Sequence, residues 1–170
     1  MLEKFIRFTA VAVLALSTTG AGAAPDIASG EYFNQPYLAG IKVVPAWNAG
    51  LLGAGFIIAD LDSGVRATHV DLLGRIVAGG YDFVNDDDDP DDDEDSITDG
   101  HGTASAGVIV GNWNGVGLGG IAPSAQILPV KISDDKNISS GDLIRKGFDF
   151  VAGNPGVRII LLEAVKTSLS

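Results

Sequence analysis

Beyond residue 24 the apolar positions fall into short continuous runs, not alternating ones. Phe56 to Leu61 is one such run, closed by Asp62, Ser63 and Gly64. A short apolar run bounded by turn residues predicts a strand buried on both faces. Asp62 then stands at its carboxyl end. Ile76 to Val84, Ile127 to Ile132 and Val157 to Leu162 predict three further strands, with Lys131 near the exit of the second of these. Helical stretches lie between them. Ala104 to Val110 follows a glycine-flanked histidine. Leu143 to Ala152 is introduced by Ser139, Ser140 and Asp142, residues that start helices, and it puts Leu143, Gly147, Phe150 and Val151 roughly on one face. Ile41 to Asn48 predicts a short helix with Pro45 in its first turn. Ala24 to Asn34 is polar and irregular and predicts an extended arm. Strands alternating with helices indicate a parallel α/β sheet. In such sheets ligands and catalytic groups gather at the carboxyl ends of the strands.

The first residues have a different pattern. Lys4 and Arg7 flank an apolar run from Phe8 to Leu16, and small residues follow through Ala21-Gly22-Ala23. A positive flank, a short apolar segment and an Ala-x-Ala exit form a secretory signal. Cleavage is expected after Ala23, leaving residues 24–170 as one exported domain, secreted or periplasmic. The run is shorter than the ~20 residues that a membrane-spanning helix needs. No membrane association is expected after cleavage. Within the exported part, residues 24–36 form the arm and residues 37–170 the domain proper.

Charge changes this picture at one place. The net charge is −11. Asp82 to Asp99 holds Asp82, Asp86 to Asp89, Asp91 to Asp93, Glu94, Asp95 and Asp99 with no basic residue, and the rest of the chain is balanced. One solvated acidic loop therefore carries the whole imbalance. It argues against nucleic acid as a partner. Clustered carboxylates suit calcium, so calcium at this loop is the one ion expectation. The spacing is not that of an EF-hand, because reading from Asp95 puts Ile97 at position three and Ala106 at position twelve. The absence of cysteine removes disulfides, thiolate metal sites and a cysteine nucleophile.

The chain has two histidines, His69 and His101. Gly100 and Gly102 leave the His101 imidazole unobstructed near a helix start. Asp62 ends an apolar strand, where a buried carboxylate needs a partner. A histidine N–H would satisfy it, and such a pair fixes the imidazole tautomer during acyl transfer. The residues alone leave two readings: a catalytic Asp62–His101 pair, or a capping aspartate and an exposed histidine.

The segment Ile57-Ile58-Ala59-Asp60-Leu61-Asp62-Ser63-Gly64-Val65 resembles the aspartate motif of the subtilisin-like serine proteases. Thr68-His69-Val70-Asp71-Leu72 stands where that family often has a His-x-Asp-Leu segment. Tyr81-Asp82-Phe83-Val84-Asn85, the acidic loop and Asp99-Gly100-His101-Gly102-Thr103 resemble the histidine motif and its lead-in. Gly120-Ile121-Ala122-Pro123-Ser124-Ala125 and Leu128-Pro129-Val130-Lys131-Ile132 resemble the stretch that follows. The resemblance runs in order from about Tyr37 to Leu162. It implies an α/β fold, an incomplete doubly wound parallel sheet of subtilisin-like type. It further implies serine endopeptidase chemistry on protein or peptide substrates, with no required cofactor. Asp62 becomes the triad aspartate and His101 the general base, with His69 structural.

Three departures qualify the implied activity. The family's Gly-Thr-Ser-Met-Ala segment, with the nucleophile, is absent from the 170 residues, as is the oxyanion asparagine. Where the family reads Val-Ile-Asn-Leu-Ser-Leu-Gly, this chain has Ile159-Ile160-Leu161-Leu162-Glu163-Ala164. No pro-segment is expected, since the domain begins soon after Ala23. The expectation is a truncated or frame-shifted fragment, inactive alone and dependent on a missing C-terminal half. Without the nucleophile only residual catalysis remains. Ala152-Gly153-Asn154 imitates the oxyanion motif but follows a helix, so Asn154 is expected in a helix-ending turn. Ser105 lacks the strained turn of a reactive serine and is expected to pack on its helix. A second reading of the chain is a non-catalytic exported calcium-binding module, and a third is a pseudogene product that folds poorly.

Overall fold

The computed structural model describes residues 24–92, 100–133, 138–163 and 165–166. Residues 1–23, 93–99, 134–137, 164 and 167–170 lie outside them.

Three short helices open the described chain: α1 (Gly30–Phe33), α2 (Pro36–Gly40) and α3 (Val44–Asn48). The segment expected to be an extended arm is therefore partly helical. Ser29 caps α1 by accepting from the Tyr32 N–H, a local hydrogen bond that favours the turn over extended chain. Pro45 sits in the first turn of α3 as expected. Leu38, Val43 and Trp47 are buried together, and Trp47 Nε1 donates to the Ile121 carbonyl at 2.8 Å. Glu31 is buried too, and its two carboxylate oxygens accept from the backbone N–H groups of Asn114 and Gly115. These contacts seat the N-terminal segment on a loop more than eighty residues away.

The centre is a parallel sheet made of β1 (Ile57–Asp62), β2 (Tyr81–Asp82), β3 (Gln126–Lys131) and β5 (Val157–Leu162), in the order β2-β3-β1-β5. A separate parallel pair joins β4 (Ile138–Ser139) to β6 (Val165–Lys166). In register, Asp62 lies beside Lys131 of β3, and Leu61 beside Leu162 of β5. The second expected strand is much shorter than Ile76 to Val84. Only a single bridge at Ile76 and the two residues of β2 pair with β3. Gly79, at φ 91°, and Gly80, whose missing Cβ would fall 2.3 Å from the Pro129 carbonyl, break the run between them.

The longer helices cover opposite faces. The residues α4 (His101–Val110) buries are Gly102, Ala106 and Val110, spaced four apart. Ala106 and Val110 pack with Ile58, Leu72 and Ile127. Against the other face, α5 (Gly141–Ala152) packs Val151 near Ala59, Leu61, Val130 and Ile132. Ser140 caps α5, accepting from the Leu143 N–H, as its position before the apolar stripe predicts. Gly147 allows the closest approach there, since a Cβ would sit 2.9 Å from Ile132 Cγ2 and 3.1 Å from Leu61 Cδ2. Alternate residues of β1 thus serve different helices. Ile58, Asp60 and Asp62 face α4, while Ala59 and Leu61 face α5. This is the doubly wound arrangement expected from the strand pattern.

The acidic stretch is not wholly solvated. Asp82 is fully buried, accepts from the N–H groups of Val84 and Asn85, and lies 3.4 Å from the buried Lys131 ammonium. Asp92 is buried as well. Both are fixed by donors that composition does not reveal. A charged group can leave water when hydrogen bonds and an opposite charge replace it.

Candidate active site

The carboxyl end of β1 and the first turn of α4 meet at one point. Gly102 makes the meeting close: a Cβ there would fall 2.2 Å from the Gly64 carbonyl and 3.1 Å from Asp62 Cβ. Gly100 precedes the helix in the left-handed region at φ 94°, which lets the chain turn sharply into α4. The consequence is that His101, the first helical residue, is laid over the end of the strand.

His101 Nδ1 lies 2.8 Å from Asp62 Oδ2 and 2.9 Å from Oδ1. This distance brings the two side chains together as a pair. Asp62 is fully buried, whereas the His101 side chain is 46% exposed. The carboxylate is thus held in the protein while the far edge of the ring reaches solvent. Burial pushes the Asp62 carboxyl up from its ordinary value. The Ser63 N–H, donating at 2.6 Å, and His101 oppose that shift, and the Glu163 carboxylate adds to it.

Around the pair runs a network that sequence reasoning missed. Asp92 accepts from the Thr103 hydroxyl at 2.6 Å, the Thr103 N–H at 3.1 Å and the Ser63 hydroxyl at 3.2 Å. Ser63 Oγ in turn accepts from the Gly102 N–H at 3.1 Å. A carboxylate at the start of α4 also complements the positive end of the helix dipole. The eleven acids gave no signal that singled out Asp92.

Glu163, just after β5, was also missed as a site residue. Its Oε2 accepts from the Ser105 hydroxyl at 2.7 Å and lies 3.9 Å from His101 Nε2. The Ser105 hydroxyl is thus donated to Glu163, beyond the end of β5. Beneath Asp62, Asp60 faces the same helix and is 1% exposed, with neither carboxyl oxygen hydrogen-bonded among the described residues. Burial holds it well above the usual carboxylate range, and the charges of Asp62, Glu163 and Asp92 push in the same direction.

The remaining expected positions lie elsewhere. His69 Nδ1 accepts from the Asp71 N–H at 3.2 Å and caps the 3₁₀ turn Val70–Leu72, a structural role. Asn154 ends α5 and bonds within its own turn, where its Oδ1 accepts from the Gly156 N–H. It precedes β5 at the edge of the sheet opposite Asp62, about 17 Å away along the strands by their rise of ~3.3 Å per residue. That separation removes it from the His101 site. Of the eleven acids behind the calcium expectation, Asp93, Glu94, Asp95 and Asp99 lie outside the described residues, and the other seven lie within them. Among the described residues, no helix is long and apolar enough to cross a membrane.

Comparison with known proteins points to one family. Residues 53–162 match the sequence model of Peptidase_S8, the subtilase family. The minor extracellular protease Epr of Bacillus subtilis is 41% identical over 128 residues, which are 73% of this chain and 18% of that protein. Thermitase of Thermoactinomyces vulgaris is 34% identical over 138 residues, 76% of this chain and 47% of the relative. The crystal structure of the Aeromonas sobria serine protease in complex with a chaperone matches with a TM-score of 0.53 at 31% identity. That match covers 66% of this chain and 19% of that one. The chain spans less than half the length of each of these proteins.

Proposed function

Because the chain belongs to the subtilase family, we propose that it is the aspartate- and histidine-bearing part of an exported serine endopeptidase. The observation that carries this reading is the 2.8 Å contact between a fully buried Asp62 and a half-exposed His101. In the proposed reaction the Nδ1–H of His101 donates to Asp62, which fixes the tautomer and leaves the Nε2 lone pair facing outward. Nε2 takes the proton from a serine hydroxyl as its oxygen bonds to the carbonyl carbon of a peptide. The proton then passes to the departing amine, and water repeats the cycle on the acyl-enzyme. Asp62 stabilises the imidazolium throughout.

The serine in this scheme is not among the 170 residues. The family's Gly-Thr-Ser segment does not occur in them, and Ser105 is turned to Glu163. We assign the chain export by its first 23 residues and a protein or peptide substrate. Its C-terminal complement is to be supplied by further sequence.

A fluorophosphonate probe for activated serines tests the assignment. Purified residues 24–170 should remain unlabelled and should not hydrolyse casein. Labelling of this chain would overturn the claim that its nucleophile lies elsewhere. Sequencing of the coding DNA past codon 170, in all frames, should reveal a Gly-Thr-Ser segment.

A further inference from the structure

We propose that His101 Nε2 and Glu163 form a site for one divalent transition-metal ion of the zinc type, with Asp62 as the residue that orients the ligating ring. The inference goes beyond the peptidase reading and needs no serine.

The geometry has the parts such a site requires. A zinc-ligating histidine commonly donates its other ring N–H to a carboxylate, which fixes the ring and raises its basicity. Asp62 already does this at Nδ1, 2.8 Å away. The free nitrogen, Nε2, has one carboxylate oxygen 3.9 Å from it, that of Glu163. Two donors on a tetrahedral zinc, each ~2.0–2.2 Å from the metal, stand about 3.4 Å apart. Glu163 must therefore move inward by about half an ångström to share an ion with Nε2, and its side chain is part-exposed at 32%. The Ser105 hydroxyl, 2.7 Å from Glu163 Oε2, steadies the carboxylate as ligating carboxylates are steadied. Water reaches the exposed side of the ring and completes the shell.

Charge points the same way. One ligating atom from each of Asp62, His101 and Glu163 lies within 4.8 Å of the others. Carboxylates converging on one imidazole favour a cation there. An imidazole in the set selects zinc-like ions over calcium, which prefers a shell of about six to eight oxygens. The site also has a consequence for the proton path: an ion on Nε2 occupies the lone pair that would accept a proton. Metal binding and base catalysis therefore exclude one another.

Calorimetry with zinc chloride and nitrogen-15 NMR of the two histidines test the proposal on residues 24–170. One zinc per chain should bind in the micromolar range and move the His101 Nε2 resonance while leaving His69 in place. Calcium chloride should not move it. Glu163→Gln should weaken zinc binding about tenfold to hundredfold, whereas His69→Gln should leave it unchanged. The proposal is overturned if millimolar zinc does not move the His101 resonance, if zinc moves His69 instead, or if Glu163→Gln binds as tightly as the parent chain. The NMR readout on the unaltered chain decides the matter even if the Gln variant fails to fold.

Discussion

Asp60 is the residue whose environment departs furthest from what its chemistry prefers. It is buried without a hydrogen bond among the described residues, beneath a second buried carboxylate. Its folded-state pKa is raised, first by burial and then by Asp62, Glu163 and Asp92. The folded chain thus keeps a proton that the unfolded chain releases near the ordinary aspartate value of ~3.9. Stability is greatest below that value and falls as pH rises through the folded value, because the native state binds more protons than the unfolded one. Asp60→Val removes this burden. It should stabilise the chain near neutral pH by about 1–3 kcal/mol, the scale of an unsatisfied buried polar group. Urea melts at pH 5 and pH 8 should show a larger gain at the higher pH. An equal gain at both would mean that Asp60 does not hold its proton. Asp82 is a contrasting case. It is just as buried, but it has backbone donors and the Lys131 ammonium as partners.

At the scale of elements, the site depends on how close α4 comes to β1. Gly102 sets that spacing. Gly102→Ala should force the helix off the Gly64 carbonyl and cost about 1–3 kcal/mol or more, the usual range for overpacking. It should also break the His101–Asp62 hydrogen bond, which histidine NMR detects. An unchanged bond would show that the helix has other room to move. Much of this level was readable from sequence. Continuous apolar runs marked β1, β3 and β5, and Ser140 before an amphipathic stripe marked α5. The shortening of the second strand depended on Gly80 meeting the Pro129 backbone, a contact between segments almost fifty residues apart. The helical turn at Gly30 was hidden because its burial partner, the loop at Asn114 and Gly115, is remote. Asp62 and His101 were legible because only two histidines exist and one follows a family motif. Asp92 and Glu163 were not. The first lay among ten other acids, and the second stood where no acid was expected.

At the scale of the whole molecule, β5 is, among the described residues, an edge strand of the four-stranded sheet, and Ile159, Ile160 and Leu162 are each at least 42% exposed. An apolar edge of this kind invites pairing with another chain. Residues 24–170 should therefore self-associate in isolation. Light scattering after size exclusion should report species larger than the monomer, and Ile160→Lys should shift them toward it. A monodisperse monomer with a sharp cooperative melt would contradict this.

The most direct test concerns the imidazole itself. In the folded chain the His101 Nδ1–H should give a proton resonance shifted far downfield and protected from exchange, because it is donated to a buried carboxylate. Asp62→Asn should abolish that resonance and leave the His69 signals where they were. A His101 ring protonated on Nε2, or a proton spectrum indifferent to the Asn substitution, would mean that the aspartate does not hold the histidine and that the account built on them is wrong.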